Sequence, residues 1–426
     1  MMSPWQWMAT RAVDSGSRFI STLPSAWSLR LSSRSRPPKG EPKRIARLAD
    51  PLADPMWPTV AVLQGQGQQW RRLAVATLSL QPTPVVGWWT VPRSPEPKEH
   101  SVKQLRIGLI GAGGIAGVHI AGWQQLGAHV SVFSRSGAAG LVEQYGIEEV
   151  DSVEALLEAS DMVAILTPTP SHHGYAMAAF AAGKDVICEK PLADTFEHAA
   201  EMVNAARSAG LRLFPAHVVR FFPDYVAAKA QLDKGVVGVP TTLELSRAGA
   251  APAAGSWFFD EAQGGGIVRD QMIHDLDQAR LLAGEVTEVF AEQNPPSVDG
   301  ILPRPVTARV VLTHANGATS QVRGEWGPDG LPFGTNLSVK GPRGTISFAS
   351  PGSDKNEPDV VDSPYTRQNA EFAAARASGD PSRVSPSDGV VAVALAEAAA
   401  ESIRCGKAVD FSAEAVLALL DPEHAG

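Results

Sequence analysis

The sequence predicts an α/β domain with a parallel sheet, followed by an α+β domain with an open, mainly antiparallel sheet. Three observations carry this. Leu105–Ile110 is a short apolar run that enters a glycine turn and then an apolar-periodic segment ending near Leu126. Strand-like and helix-like segments then alternate as far as Phe214. Beyond residue 216, extended segments follow one another with few helices between them. Alternation at this spacing means right-handed βαβ units and a parallel sheet. A succession of strands means an open sheet with helices on one face.

In the first part, strands are expected at His129–Phe133, Asp161–Leu166, Asp185–Cys188 and Leu211–Phe214. Helices are expected at Gly140–Tyr145, Val153–Glu158, Ser171–Ala182 and Thr195–Ser208. The turn Gly111-Ala112-Gly113-Gly114-Ile115-Ala116 has the G-x-G-x-x-A form of a dinucleotide site. Gly111 permits the tight turn, Gly113 lets the backbone approach a pyrophosphate, and Ala116 allows close helix–strand packing. The helix that follows offers free N–H groups and its positive dipole end to phosphates. Residues 101–216 therefore read as an NAD(P)-binding Rossmann domain, with Gly111, Gly113, Gly114 and Ile115 on the phosphate side.

Ligands of such sheets bind at the carboxyl ends of the strands. That singles out Ser134–Ser136, Thr167–Pro170 and Glu189–Pro191. The second strand ends in Ser134-Arg135-Ser136, where an NAD site usually has a carboxylate for the ribose hydroxyls. Arg135 can clamp a 2′-phosphate, and the two serines can donate to it. NADP is the expected cofactor. NAD is the alternative, with Arg135 then stacked on adenine or lying in solvent.

In the second part, residues 217–426, a helix is expected at Tyr225–Lys234. Strands are expected at Thr241–Arg247, Thr287–Gln293, Val306–Thr313, Thr319–Trp326, Asn336–Lys340 and Thr345–Phe348, and closing helices at Tyr365–Ala377 and Ser387–Cys405. Gly264-Gly265-Gly266 opens the most informative stretch. Asp270 and His274 follow it four residues apart, on one helix face, and Asp277, three residues beyond His274, is also expected within its reach. Alone, such a pair reads as a surface pair or a satisfied core histidine rather than as a catalytic pair. Trp257, Phe258 and Phe259 either wall a pocket or simply pack. His217 and Arg220 either meet a substrate or brace the joint between the domains.

The glycine turn, the Thr167-Pro168…His172 stretch, Glu189-Lys190-Pro191, His217–Tyr225 and Asp270-x-x-x-His274 together resemble the Gfo/Idh/MocA family, over about residues 104–412. The resemblance implies an NAD(P)-dependent oxidoreductase that moves a hydride between a nicotinamide cofactor and a sugar, polyol or related hydroxy or keto compound. It implies that Lys190 contacts substrate, beside a cis Lys190-Pro191 bond, and that Asp270 and His274 complete the catalytic set. Thr167, Pro168, Thr169, His172, Glu189 and Lys190 would line the cofactor site. Arg220, Trp257, Asp270 and His274 would line the substrate side. In that chemistry His274 is the base, Asp270 holds one of its ring nitrogens, and the Lys190 ammonium stabilises developing alkoxide. No metal is expected, because one histidine and one or two aspartates are too few ligands and the family uses none. The rival from another class is a catalytically silent member that binds nucleotide as a sensor or regulator.

Composition bounds the rest. The chain has 426 residues, is 44% hydrophobic, and carries a net charge of −8. No uncharged run reaches the ~18 apolar residues of a membrane span. Only Cys188 and Cys405 are present, which fits a reducing compartment and an expected cytoplasmic location. Residues 1–100 carry 13 Lys and Arg against 6 Asp and Glu, whereas residues 101–426 have a net charge of −15. The acidic body argues against a nucleic-acid partner. The first hundred residues also hold 13 of the 33 prolines and no sustained period, so disorder is expected there. They read as translated upstream sequence with the true start near Val102, as a basic tail, or as a transit peptide. A homodimer or homotetramer is expected through the second sheet, on an apolar face carrying Val310, Leu312 and Trp326.

Overall fold

Six parallel strands form the first sheet: β1 (Arg106–Ile110), β2 (His129–Phe133), β3 (Glu148–Glu149), β4 (Met162–Ile165), β5 (Asp185–Glu189) and β6 (Leu213–Ala216). Their order is β3-β2-β1-β4-β5-β6. β4, β5 and β6 are buried along their whole length, because helices cover both faces and a continuous apolar run is then required. The strand order reverses between β1 and β4, and the ligand crevice of a doubly wound sheet opens at such a point. Hydroxyl caps start several helices: Ser152 accepts from the Ala155 N–H, and Thr195 from the His198 N–H.

This computed structural model describes residues 104–350 and 363–420, all within one unit by contact. The expectations for residues 1–100 lie outside the described residues. Among the described residues no helix is long and apolar enough to cross a membrane.

The second sheet has seven strands: β7 (Thr242–Ala250), β8 (Val286–Asn294), β9 (Val306–His314), β10 (Thr319–Gly327), β11 (Gly334–Gly341), β12 (Gly344–Ser350) and β13 (Val409–Asp410). Their order is β12-β11-β7-β10-β9-β8-β13, and only the β7–β10 pair is parallel. The expected open, mainly antiparallel sheet is thus found, with one parallel pair at its centre.

One expectation about this sheet is overturned. Val310, Leu312 and Trp326 are at most 2% exposed and lie on the face covered by helices. The alternate positions make the open face: Glu244 and Ser246 of β7, Arg309 of β9, Gln321 and Arg323 of β10, and Asn336 and Ser338 of β11. Period-two alternation tells which residues share a face; it does not say which face is covered. The open face is polar, so the apolar argument for assembly falls.

The helix Pro386–Cys405 closes the fold. Ser385 and Asp388 form a reciprocal capping box, Pro386 stands at its first turn, and Gly406 ends it with φ 66°. Its alanine and valine side chains pack on β8 and on the helices Phe196–Ser208 and Ile273–Ala283. The helix Pro364–Ser378 instead returns to the first sheet and lies on the helix Ala116–Gln125. β3, β13 and the short helix Ala413–Ala418 have no counterpart among the expected elements, being two to six residues long and lacking a period to read.

Candidate active site

The glycine turn follows β1 directly. Gly111 adopts φ +111°, and a Cβ there would stand 2.9 Å from the Leu166 carbonyl carbon and oxygen, so no other residue fits. Gly113 and Gly114 are the opposite case: a Cβ on either would meet nothing within 4 Å. The space above them is open for a ligand, and the helix Ala116–Gln125 begins there. A cleft of about 480 Å³ covers this turn, lined by Gly111, Gly113, Ser134–Ser136, Thr167, Pro168 and Tyr175. A pyrophosphate cradle with a slot beside it fits a dinucleotide. Tyr175 was not singled out by sequence, because one aromatic on a helix carries no positional signal.

Arg135 is exposed at the end of β2, and the Ser134 and Ser136 hydroxyl oxygens lie 3.3 Å apart beside it. Glu149 on the edge strand β3 also reaches this turn. Its Oε1 accepts the Ala138 N–H at 2.8 Å, so its carboxylate is engaged by the backbone. Spacing from the glycines could not reveal this acid, because an intervening helix separates it from β2. Ile115 is half-buried at the start of the cofactor-side helix, and Thr169 is buried.

His172 does not line this cleft. Its ring is buried between two carbonyl oxygens, Thr167 O at 2.8 Å from Nε2 and Pro191 O at 2.9 Å from Nδ1. It ties the loop after β4 to the loop after β5. Both ring nitrogens are thereby engaged by the backbone, which makes His172 a brace in place of the expected cofactor contact.

Lys190 follows β5, and its peptide bond to Pro191 is cis. Its Nζ donates to Asp270 Oδ1 at 2.9 Å and to the Asp270 carbonyl at 2.8 Å. The two side chains are each 19% exposed. Asp270 sits in a π-helical turn, Val268–Met272, at the head of the helix Ile273–Ala283. Such wide turns interrupt regular helices often at functional sites. Lys190 and Asp270 are 80 residues apart in sequence.

His274 stands one turn on from Asp270, yet Asp270 does not hold its ring. Nδ1 of His274 is buried with no hydrogen-bond partner among the described residues. Lys190 takes the carboxylate instead, since a charged donor forms the stronger bond. Burial first, and then the positive groups Lys190, Arg247 and His217, hold the His274 imidazole well below its ordinary basicity. It is neutral at pH 7.

Two further expectations are corrected here. Asp277 does not reach His274: its oxygens accept from Arg220 Nε at 2.8 Å and Nη2 at 2.6 Å. Arg220 does not face substrate. Its Nη1 donates to Asp388 Oδ2 at 3.0 Å and to the Arg383 carbonyl, so Arg220, on the turn after β6, ties the helix Ile273–Ala283 to the start of the helix Pro386–Cys405. His217 is buried beside this pair, its Nδ1 3.9 Å from Asp277 Oδ2. Trp257 is half-buried and stacks on Phe258 with ring centroids 4.1 Å apart, and Phe258 meets Trp326 edge-on.

Known sequences and structures match this arrangement. A family model described as an oxidoreductase family with an NAD-binding Rossmann fold, GFO_IDH_MocA, matches residues 105–217. The model of the family's C-terminal domain matches residues 225–347. The chain is 30% identical over 328 residues to 1,5-anhydro-D-fructose reductase of Ensifer adhaerens, covering 72% of this chain and 98% of that protein. The chain belongs to the Gfo/Idh/MocA family. This Gfo/Idh/MocA oxidoreductase is also 28% identical over 331 residues to an inositol 2-dehydrogenase of Rhizobium meliloti, covering 70% and 97%. The fold is shared with levoglucosan dehydrogenase in complex with NADH, at a TM-score of 0.64 and 22% identity over 73% of this chain and 100% of that one.

Proposed function

We propose that this oxidoreductase acts on a secondary alcohol of a sugar or polyol, or reduces the matching ketone, with Lys190, Asp270 and His274 as its reacting groups. The contact between Lys190 and Asp270 carries this reading. It brings a strand end of the nucleotide-binding sheet against the π-turn of the second domain, one helical turn from a neutral, half-buried histidine. The matches to a sugar reductase and an inositol dehydrogenase support the substrate class.

A nicotinamide, when bound, accepts the hydride in oxidation and returns it in reduction. His274, held neutral, takes the proton of the substrate hydroxyl. The Lys190 ammonium donates to the same oxygen and stabilises the charge that develops on it. Asp270 positions that ammonium. The aromatic group of Trp257 and Phe258 walls the substrate side. The test is turnover of 1,5-anhydro-D-fructose, D-apiose and myo-inositol with both cofactors in the appropriate direction. No turnover above background with any of them, at millimolar substrate, would remove the reading.

NADP is the proposed cofactor of preference. Arg135 is the exposed cation at the end of β2, and Glu149, a carboxylate that reaches the same turn, already accepts a backbone N–H. NAD is the cofactor of the NADH-bound structural neighbour, so both are measured. Arg135→Ala should weaken NADPH binding roughly ten-fold or more and leave NADH nearly unchanged. Tighter NADH than NADPH binding in the wild type would reverse the assignment.

A further inference from the structure

Glu189 ends β5 one residue before Lys190, and both of its carboxylate oxygens are engaged inside the protein. Oε2 accepts the Lys190 backbone N–H at 3.0 Å. Oε1 lies 2.9 Å from Nε2 of His119. The pair is deeply buried, His119 at 0% and Glu189 at 7% exposure. His119 belongs to the helix Ala116–Gln125, one turn beyond the glycine loop. Its Nδ1 has no partner among the described residues. The hydrogen-bond network therefore assigns the proton to Nε2, which donates to Glu189.

The helix Pro364–Ser378 encloses the ring from the other side. Tyr365 stands edge-on to it at 5.6 Å, and Asn369 Nδ2 donates to the His119 carbonyl at 3.4 Å. The bonds thus form an unbroken path from the helix at the phosphate end of the cleft to the lysine at the reacting end.

We propose that His119 is a positioning residue for Lys190: by donating to Glu189 it fixes the carboxylate that fixes the Lys190 backbone, so that the cofactor-side helix and the reacting end of β5 are held as one piece. This rests on Lys190 acting as described under the proposed function.

The charge of Glu189 follows from the same contacts. Burial drives its carboxyl up, and the His119 hydrogen bond with the Lys190 charge more than offsets this, so it lies below the ordinary carboxyl range. The other titratable groups around it are Cys188 on the same strand, His172 from the helix below, His217 after β6 and Tyr365. Burial disfavours the charged form of each of these four. His119 and Lys190 are thus the groups that keep Glu189 ionised, with Asp270 beyond Lys190.

The test compares His119→Ala, His119→Gln and Glu189→Gln in the full chain. Amide hydrogen exchange of the segment 186–192 is the first readout, with and without NADPH and NADH. In His119→Ala the Lys190 amide should exchange roughly ten-fold faster, and nucleotide should protect the segment less, while β1 and β4 are unchanged. His119→Gln keeps a donor and should behave as wild type. Equal exchange in all variants, or uniform acceleration through the sheet, would overturn the proposal.

Turnover of the substrate found active in the wild type is the second readout. In His119→Ala, kcat should fall roughly 10- to 100-fold with KM and nucleotide Kd within about three-fold. The loss should deepen as pH falls, because without His119 burial protonates Glu189 sooner. Glu189→Gln should show a loss that does not vary with pH. A pH-independent loss in His119→Ala, or an equal loss in His119→Gln, would also overturn it. If the wild type turns over none of the three substrates, the proposed function fails, and the exchange experiment still decides the role of His119.

Discussion

In the proposed mechanism Lys190 and His274 do different work, and their variants should separate. Lys190→Met removes the ammonium proposed to stabilise alkoxide, and His274→Ala removes the proposed base. Each should lower kcat roughly 100-fold or more, with NADPH and NADH affinities nearly unchanged, as single-turnover kinetics and fluorescence titration would show. The pH profile should bear the mark of burial. A base must be neutral to accept a proton, and His274 is held well below its ordinary pKa of 6.5. The rate of alcohol oxidation should therefore persist below pH 6.5 and fall only in more acidic solution. An acid limb centred at 6.5 or above would mean that another group is the base. At this scale the sequence singled out Lys190, Asp270 and His274 but paired them differently from the fold. Spacing put Asp270 beside His274; the fold gave it to Lys190, 80 residues away. His119 went unnoticed because one histidine on an apolar helix has no local partner to reveal it.

The joint between elements depends on Arg220. It stands at 6% exposure with all three guanidinium nitrogens donating to Asp277, Asp388 or the Arg383 carbonyl. Asp388 also caps the helix Pro386–Cys405 and accepts from Arg280 at 2.8 Å. Asp388 thus shares Arg220 with a second counter-charge, whereas buried Asp277 has its two-bond ion pair with Arg220. Arg220→Met should leave buried carboxylate uncompensated and cost about 3–5 kcal/mol of stability, read by urea unfolding. Arg220→Lys should recover only part of it, since an ammonium cannot make the planar two-bond contact with Asp277. Most elements themselves were legible. β2 begins and ends where its apolar run does, and β1, β5 and β7 to β12 fall within a few residues of expectation. Those segments carry their period locally. β3 could not be read, because two exposed glutamates show no alternation.

For the whole molecule, acid should be destabilising earlier than carboxylate titration alone would bring it. His172, His217 and His274 all have pKa values lowered from 6.5, burial being the first cause in each. The unfolded chain then binds more protons than the folded one below 6.5. Stability from these groups is present above pH 6.5 and is lost as pH falls from there. Each can contribute up to about 1.4 kcal/mol per pH unit over that range. The melting temperature should therefore decline between about pH 6.5 and 5, and His217→Gln should flatten that decline. A flat profile over this range would show that these rings are protonated in the folded protein. Assembly belongs to this scale as well. The open face of the second sheet sets Arg309 directly opposite Arg323, with Glu292 and Glu325 near them. We propose that the chain pairs through this polar face as a dimer or tetramer, and that Arg323→Glu shifts the mass measured by light scattering. A wild-type monomer at micromolar concentration would exclude it.

By itself the sequence determined what depends on neighbours along the chain. It set the parallel sheet through buried apolar runs between helices, and the dinucleotide turn through Gly111 and the open glycines after it. These are local because φ, hydrophobic period and helix start are decided within a few residues. The tertiary structure alone decided which groups meet. It set Asp270 on Lys190, His119 on Glu189, Arg220 on Asp277 and Asp388, and Glu149 beside the end of β2. It also decided which face of the second sheet is covered. Those outcomes rest on contacts between residues far apart in the chain, where burial makes a charge seek whatever partner the fold brings within reach.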